Sequence, residues 1–198
     1  MTLEAEIREG FERLAVGDLR ITSDICTKYN CIAWAMGDPD NFWWPDGEDG
    51  YWPAGVEVAE TVDAFIAAFA TKGFTPCDDG SPVEGKEKVA LFTKKGKPTH
   101  ASYLMSTGEW ASKLGRDHDV VHITAPVIGG LRYGDPTHFF ERPIPAEPRP
   151  IMPNTKAEWA AKVQMTNATA PAVPASAKVS SKGAGTKGAM HRVGKKRL

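Results

Sequence analysis

The sequence predicts an α+β domain in which N-terminal helices pack on an antiparallel β-meander, followed by a basic tail without regular structure. Three observations predict it. Apolar residues recur at helical spacing in the first third, they alternate as strands after Gly73, and from Pro143 onward Pro, Ala, Ser, Lys and Gly take over. Helices first and strands afterwards is the α+β order rather than the alternation of a parallel sheet.

Leu3, Ile7, Phe11 and Leu14 share one helical face within residues 3–15. A short helix follows Asn30, because CIAWAM is apolar and Gly37 closes it. The Pro, Gly and Asp content of GDPDNFWWPDGEDGYWPAG makes the next stretch a loop. Thr61 caps a helix that turns Val62, Phe65, Ile66 and Phe69 inward, with Gly73 at its C-terminal end. Lys88–Thr93 reads as a strand, KKGKPT as a turn, and His100–Met105, Glu109–Lys113 and Asp119–Thr124 as three more strands. A meander of about four to six strands results. Phe65, Ile66, Phe69, Val89, Leu91 and Leu104 are its expected core. Residues 156–165 form one short helix at most.

A length of 198 residues fits one domain with an appendage, divided here as 1–145 and 146–198. Charge divides the same way. Seven of the 24 Lys and Arg lie between Lys178 and Leu198 with no acid among them, which leaves 17 against 25 acids, or −8, over residues 1–177. An acidic body argues against nucleic acid as ligand, because phosphate contacts need clustered cations. The tail is a solvated segment, with an acidic partner as its other use. No run reaches the roughly 20 apolar residues of a membrane helix. The start, MTLEAEIREGFERL, has neither the basic nor the apolar region of a signal peptide. A cytoplasmic protein is expected, signal-independent export being the other route.

Cys26, Cys31 and Cys77 are too few and too irregular for a disulfide framework or a four-cysteine zinc site. His118 and His122, with Asp117 and Asp119, would suit a metal on a helix, but DVVHIT reads as a strand. No metal or cofactor is expected. Cys31 stands where polar TKYN meets the apolar helix, and helix-start N–H groups favour a thiolate, the reactive form. A nucleophile needs a base. His100 opens a strand directly after a turn, a place where scaffolds present catalytic groups. For each residue the competing role is structural: a small core hydrophobe for Cys31 and a turn histidine for His100. Phe42, Trp43, Trp44, Tyr51 and Trp52 either cap the sheet or wall a cleft beside Cys31.

A Cys at a helix start followed 69 residues later by a His at the head of a meander strand is the plan of papain-like hydrolases. The strings YNCIAWAMGD, WWP…YWP, ETVDAFIAAF, EKVALF, THASYL and GEWASKLG, in that order, resemble an uncharacterised bacterial domain family. That family is placed beside the NlpC-type and amidase-type papain-fold hydrolases, and the resemblance covers approximately residues 20–142. It implies a papain-like, NlpC-like fold, with Cys31 as nucleophile and His100 as base. Asn-Cys-Ile stands where NlpC-type enzymes usually carry Asp-Cys-Ser. The third group, which orients the imidazole, comes in such enzymes from the strand after the His. Glu109 and Ser112 lie there, with Asp119 and His122 one strand later. An ionised carboxylate at a strand head holds an imidazolium best, which ranks Asp119 first, Glu109 second and Ser112 third. Tyr29 and Asn30 are candidate oxyanion donors beside the Cys31 N–H. Trp43, Trp44, Trp52 and Glu109 are candidates to touch substrate. The expected activity is hydrolysis of an amide bond in a peptide or glycopeptide. The alternative is a non-catalytic binding or effector module that works through the Trp-rich cleft and the basic tail.

Overall fold

A computed structural model describes residues 1–46, 50–147 and 149. Its centre is one seven-stranded antiparallel sheet, with three short helices and a 3-10 turn around it. The chain runs α1 (Leu3–Glu9), β1 (Leu19–Ile21), α2 (Cys31–Met36), α3 (Val62–Ala70) and β2 (Thr75–Cys77). It continues through β3 (Lys86–Lys94), β4 (Lys97–Leu104), β5 (Trp110–Lys113), β6 (Asp119–His122), a 3-10 turn at Ala125–Ile128, and β7 (Asp135–Pro143). The order across the sheet is β1-β6-β5-β4-β3-β7-β2.

The expected four strands are present as the meander β3 to β6. Three more, β1, β2 and β7, extend it on both sides, with β7 inserted between β3 and β2. Two positive-φ residues, Lys95 and Gly96, make the β3–β4 hairpin turn, as a two-residue connection between twisted strands demands. The first helix is shorter than its apolar spacing, ending at Glu9. Phe11 and Leu14 are buried all the same, carried in by the turns that follow.

Both faces of the sheet are covered. Val89 and Leu91 of β3 face α2 and α3, together with Phe65, Phe69 and Ala101. Ala90 and Phe92 face the other way, against Phe11, Leu14 and Ile128. This alternation over one strand explains why VALF is apolar throughout. Of the six expected core residues, Phe65, Phe69, Val89 and Leu91 are fully buried, while Ile66 and Leu104 pack at the margins.

Local chemistry sets each end of α2. The Asn30 side-chain oxygen accepts from the Ala33 N–H, and Gly37 adopts the left-handed conformation (φ 73°) that closes the helix. At the same C-terminal end the Arg149 guanidinium donates to the carbonyls of Trp34 and Ala35 at 3.1 and 2.8 Å. It also pairs with Glu87 of β3, which Arg142 of β7 holds from its other side at 2.7 Å. The basic tail and the helix expected at 156–165 lie outside the described residues.

Candidate active site

Cys31 is the first residue of α2 and 5% exposed. The helix lies across β4 and β5, and β5 pairs with β4 only over Ser102–Leu104. One step beyond that pairing, Ala101 of β4 packs in the same core cluster as Cys31. Burial pushes its pKa up to about 11, against the opposing pull of the Ala101, Ile32 and Cys31 backbone and of Lys113. At rest Cys31 is a thiol.

His100, the residue before Ala101, turns its ring to the opposite face. There it stacks on Tyr133 at 4.0 Å between centroids and meets the edge of Phe92 at 5.2 Å. It is fully buried, and neither ring nitrogen has a hydrogen-bond partner. Burial holds its pKa well below the ordinary histidine value, helped by His122 and Arg132. Cys31 thus lies on the α2 face of β4 and the His100 ring on the other, with no hydrogen bond between them. Tyr133 lies in range of both: its ring covers His100, and its phenol, raised to about 12 mainly by burial, also senses the Cys31 sulfur. Tyr133 is carried by a tight loop closed by the Gly130–Gly134 backbone pair and tied to β4 by the Thr99 hydroxyl at 2.6 Å.

Asp119 does not orient His100. Its side chain faces α2, where Tyr29 donates to it at 2.7 Å and Lys113 pairs with it at 3.7 Å. Directly opposite Lys113 in the β5–β6 register, it shares a face with Lys113 and not with His100. Burial raises its carboxyl to about 6 in spite of those partners. Glu109 is no orienting group either, since Arg20 of β1 holds both its oxygens at 2.6 and 3.0 Å.

Ser112, ranked last, lies on the His100 face, but its partner is His122 at 2.9 Å. His122 has its other ring nitrogen 2.7 Å from the Thr124 carbonyl. A carbonyl only accepts, so Nδ1 carries the proton and Nε2 accepts from the Ser112 hydroxyl. Register pairs Ser102 with Ser112, and the Ser102 hydroxyl is buried without a partner. His100, Ser102, Ser112 and His122 thus form a buried polar patch among apolar neighbours. The sequence offered His122 as a metal candidate and as a polar group one strand beyond Ser112, but not as the partner of Ser112.

The oxyanion candidates are committed elsewhere. The Tyr29 hydroxyl donates to Asp119, and the Asn30 amide donates to the Trp43 carbonyl at 2.7 Å. Trp43 is fully buried, with its indole N–H on Asp38. Trp44 and Trp52 are partly buried against Phe65, their N–H groups on Glu60 and the Glu57 carbonyl. The aromatic run is chiefly a cap over α3. The sequence missed Lys113 altogether. It sits fully buried in β5, and its Nζ lies 5.2 Å from the Tyr29 ring centre and bonds the Asp117 carbonyl.

Fold and site together define a class: an α+β domain on an antiparallel sheet, with a helix-start thiol, a buried imidazole and a buried ion pair around one strand. Residues 20–141 match the model of a family described as a domain of unknown function, DUF7689, and the chain belongs to that family. No curated protein and no solved structure matches the chain. Among the described residues no helix is long and apolar enough to cross a membrane.

Proposed function

We propose that this domain is a papain-like, NlpC-like thiol hydrolase that acts on an amide bond in a peptide or glycopeptide. The observation that carries this reading is the His100 imidazole, fully buried and without a hydrogen-bond partner, next in β4 to Ala101, which packs with Cys31 in one core cluster. Leaving a buried polar ring unpaired costs about 1–3 kcal/mol, a cost that calls for a role beyond packing.

In the proposed reaction the Cys31 sulfur attacks the amide carbonyl while His100 takes its proton. The tetrahedral oxygen is met by the Cys31 backbone N–H. The carbon–nitrogen bond breaks as His100 passes the proton to the leaving amine. Water, deprotonated by His100, then releases the acid from the thioester. The resting pair is a neutral thiol and a neutral imidazole. Because His100 faces away from α2, β4 must turn at His100 for the two to meet, and Tyr133, stacked on the ring, must move with it.

The test is turnover of a fluorogenic peptide-amide panel and of peptidoglycan fragments by wild type, Cys31→Ala and His100→Ala. Amine release lost in both variants, with a thioester adduct trapped on Cys31 by mass spectrometry, is the expected result. Undiminished release by Cys31→Ala, or no release by any of the proteins, defeats the reading.

A further inference from the structure

At the β2 edge of the sheet a thiol and an amine stand in contact. The Lys88 ammonium of β3 donates to the Cys77 sulfur of β2 at 3.4 Å. Register explains how residues two strands apart meet. Glu141 of β7 pairs with Lys88 on one side and with Thr75 on the other, and Cys77, two residues on, pairs with Phe139. Strand alternation therefore puts Lys88, Glu141 and Cys77 on one face. The lysine stem reaches over β7, a span of two strand spacings or about 10 Å.

Lys88 is 3% exposed, and lysine is almost never buried so deeply without partners. Its three donors are all placed: on Glu141 at 2.8 Å, on the Asp79 carbonyl at 3.4 Å, and on the sulfur. The nitrogen is thereby fixed against Cys77. Of the three cysteines, Cys26 and Cys31 are buried and Cys77 is half-buried, so a small polar oxidant meets the Cys77 thiol first. Lys86 holds the other Glu141 oxygen at 3.5 Å, which keeps that carboxylate paired when Lys88 gives up its charge.

We propose that Cys77 and Lys88 are a peroxide-driven modification site that closes into a sulfenamide bridge, strapping β2 to β3 across β7. The oxidant is hydrogen peroxide. The Cys77 sulfur attacks one peroxide oxygen, an S–O bond forms as the O–O bond breaks, and the thiol proton leaves with the departing hydroxide as water. Sulfur is oxidised by two electrons to the sulfenic acid and the peroxide is reduced. Glu141 takes one proton from the Lys88 ammonium and passes it to solvent. The free amine then attacks the sulfenic sulfur: the S–N bond forms, the S–O bond breaks, and the hydroxyl leaves as water with one amine proton. Two equivalents of an external thiol reverse the bridge, restoring thiol and amine and leaving the external disulfide. Bridging thus halts oxidation before the irreversible sulfinic stage. Neither Cys77 nor Lys88 takes part in the proposed hydrolysis, so the two readings stand or fall separately.

The full chain is treated with hydrogen peroxide as wild type, Cys77→Ser and Lys88→Met, quenched with a thiol alkylator, and digested with trypsin without reductant for mass spectrometry. In wild type the peptides Gly73–Lys86 and Glu87–Lys94 should be joined, at their summed mass less two hydrogens, with no cleavage after Lys88. Dithiothreitol should separate them and restore that cleavage. Cys77→Ser should give no joined peptide, and Lys88→Met should carry Cys77 on to the sulfinic acid. If Lys88→Met does not fold, the wild-type map decides alone. Separate peptides in treated wild type, a Cys77 disulfide to Cys26 or Cys31 in place of the lysine link, or a link that dithiothreitol leaves intact would overturn the proposal.

Discussion

The burial-shifted groups His100, His122 and Asp119 all bear on the response of this molecule to acid. His122, held at about 4 chiefly by burial, stays neutral in the fold, whereas an unfolded histidine protonates near 6.5. His100 is depressed in the same direction. As pH falls below about 6.5 the unfolded chain takes up protons that the native one refuses, so stability is lost on the way down to 4. Asp119 works the other way. Its folded pKa of about 6 lies above the unfolded value, so the native state gains relative stability as pH falls through the same window. The Asp119→Asn variant should therefore lose stability toward acid more steeply than wild type. Urea midpoints measured from pH 7 to pH 4 check this, and parallel profiles for the two proteins would refute it. At this scale the sequence named Cys31, His100 and Asp119 but not their relations. A strand period of two assigns faces only once the register is known. The partnership of Asp119 with Lys113 depends on the β5–β6 register, which no local string encodes.

Elements with local signals were the ones legible in the sequence. The Asn30 and Thr61 caps, the Gly37 stop and the alternation of β3 and β4 are written within a few residues of where they act. The strands β1, β2 and β7 were not legible, and β7 is the longest of them. It begins Asp-Pro and ends Arg-Pro, which reads as loop. The structure accommodates Pro136 at a register shift, where Leu91 faces His138 but Phe92 faces Pro136, so one residue bulges. Neighbouring strands supply the rest of its order. The two-residue hairpin and the caps differ from β7 in needing no such help.

Asn30 carries more than its cap. Its oxygen also accepts from the Trp43 N–H at 3.2 Å, and its amide holds the Trp43 carbonyl, so one side chain joins α2 to the aromatic loop. Asn30→Ala removes the cap, worth about 1 kcal/mol. It also strands buried groups of Trp43, at about 1–3 kcal/mol. A loss of about 3 kcal/mol in urea unfolding is expected, and one below about 1 kcal/mol would show that water replaces the amide. Asn30→Asp keeps the acceptor and should lose less.

Across the whole molecule, Arg149 and Glu87 join parts of the chain far apart in sequence. Arg149 closes the C-terminal end of α2, lies over the Tyr103 ring at 4.1 Å and pairs with β3, while Arg142 keeps Glu87 paired without it. Arg149→Met should cost about 2–3 kcal/mol, the scale of a charge-assisted hydrogen bond set. The same variant should leave the secondary structure seen by circular dichroism unchanged. A urea midpoint equal to wild type would mean that the α2 carbonyls are satisfied by solvent.

The position of β7 between β3 and β2 has a further consequence for how the protein is made. Synthesis delivers the chain N-terminus first. When the meander through His122 has emerged, one side of β3 has its partner in β4, and the other offers bare N–H and C=O groups to any strand nearby. Those groups stay open until Asp135–Pro143 leaves the ribosome, and β2, made some sixty residues earlier, has no neighbour until then. A nascent chain stalled in that interval exposes two adhesive edges. The next nine-residue strand to appear silences both at once.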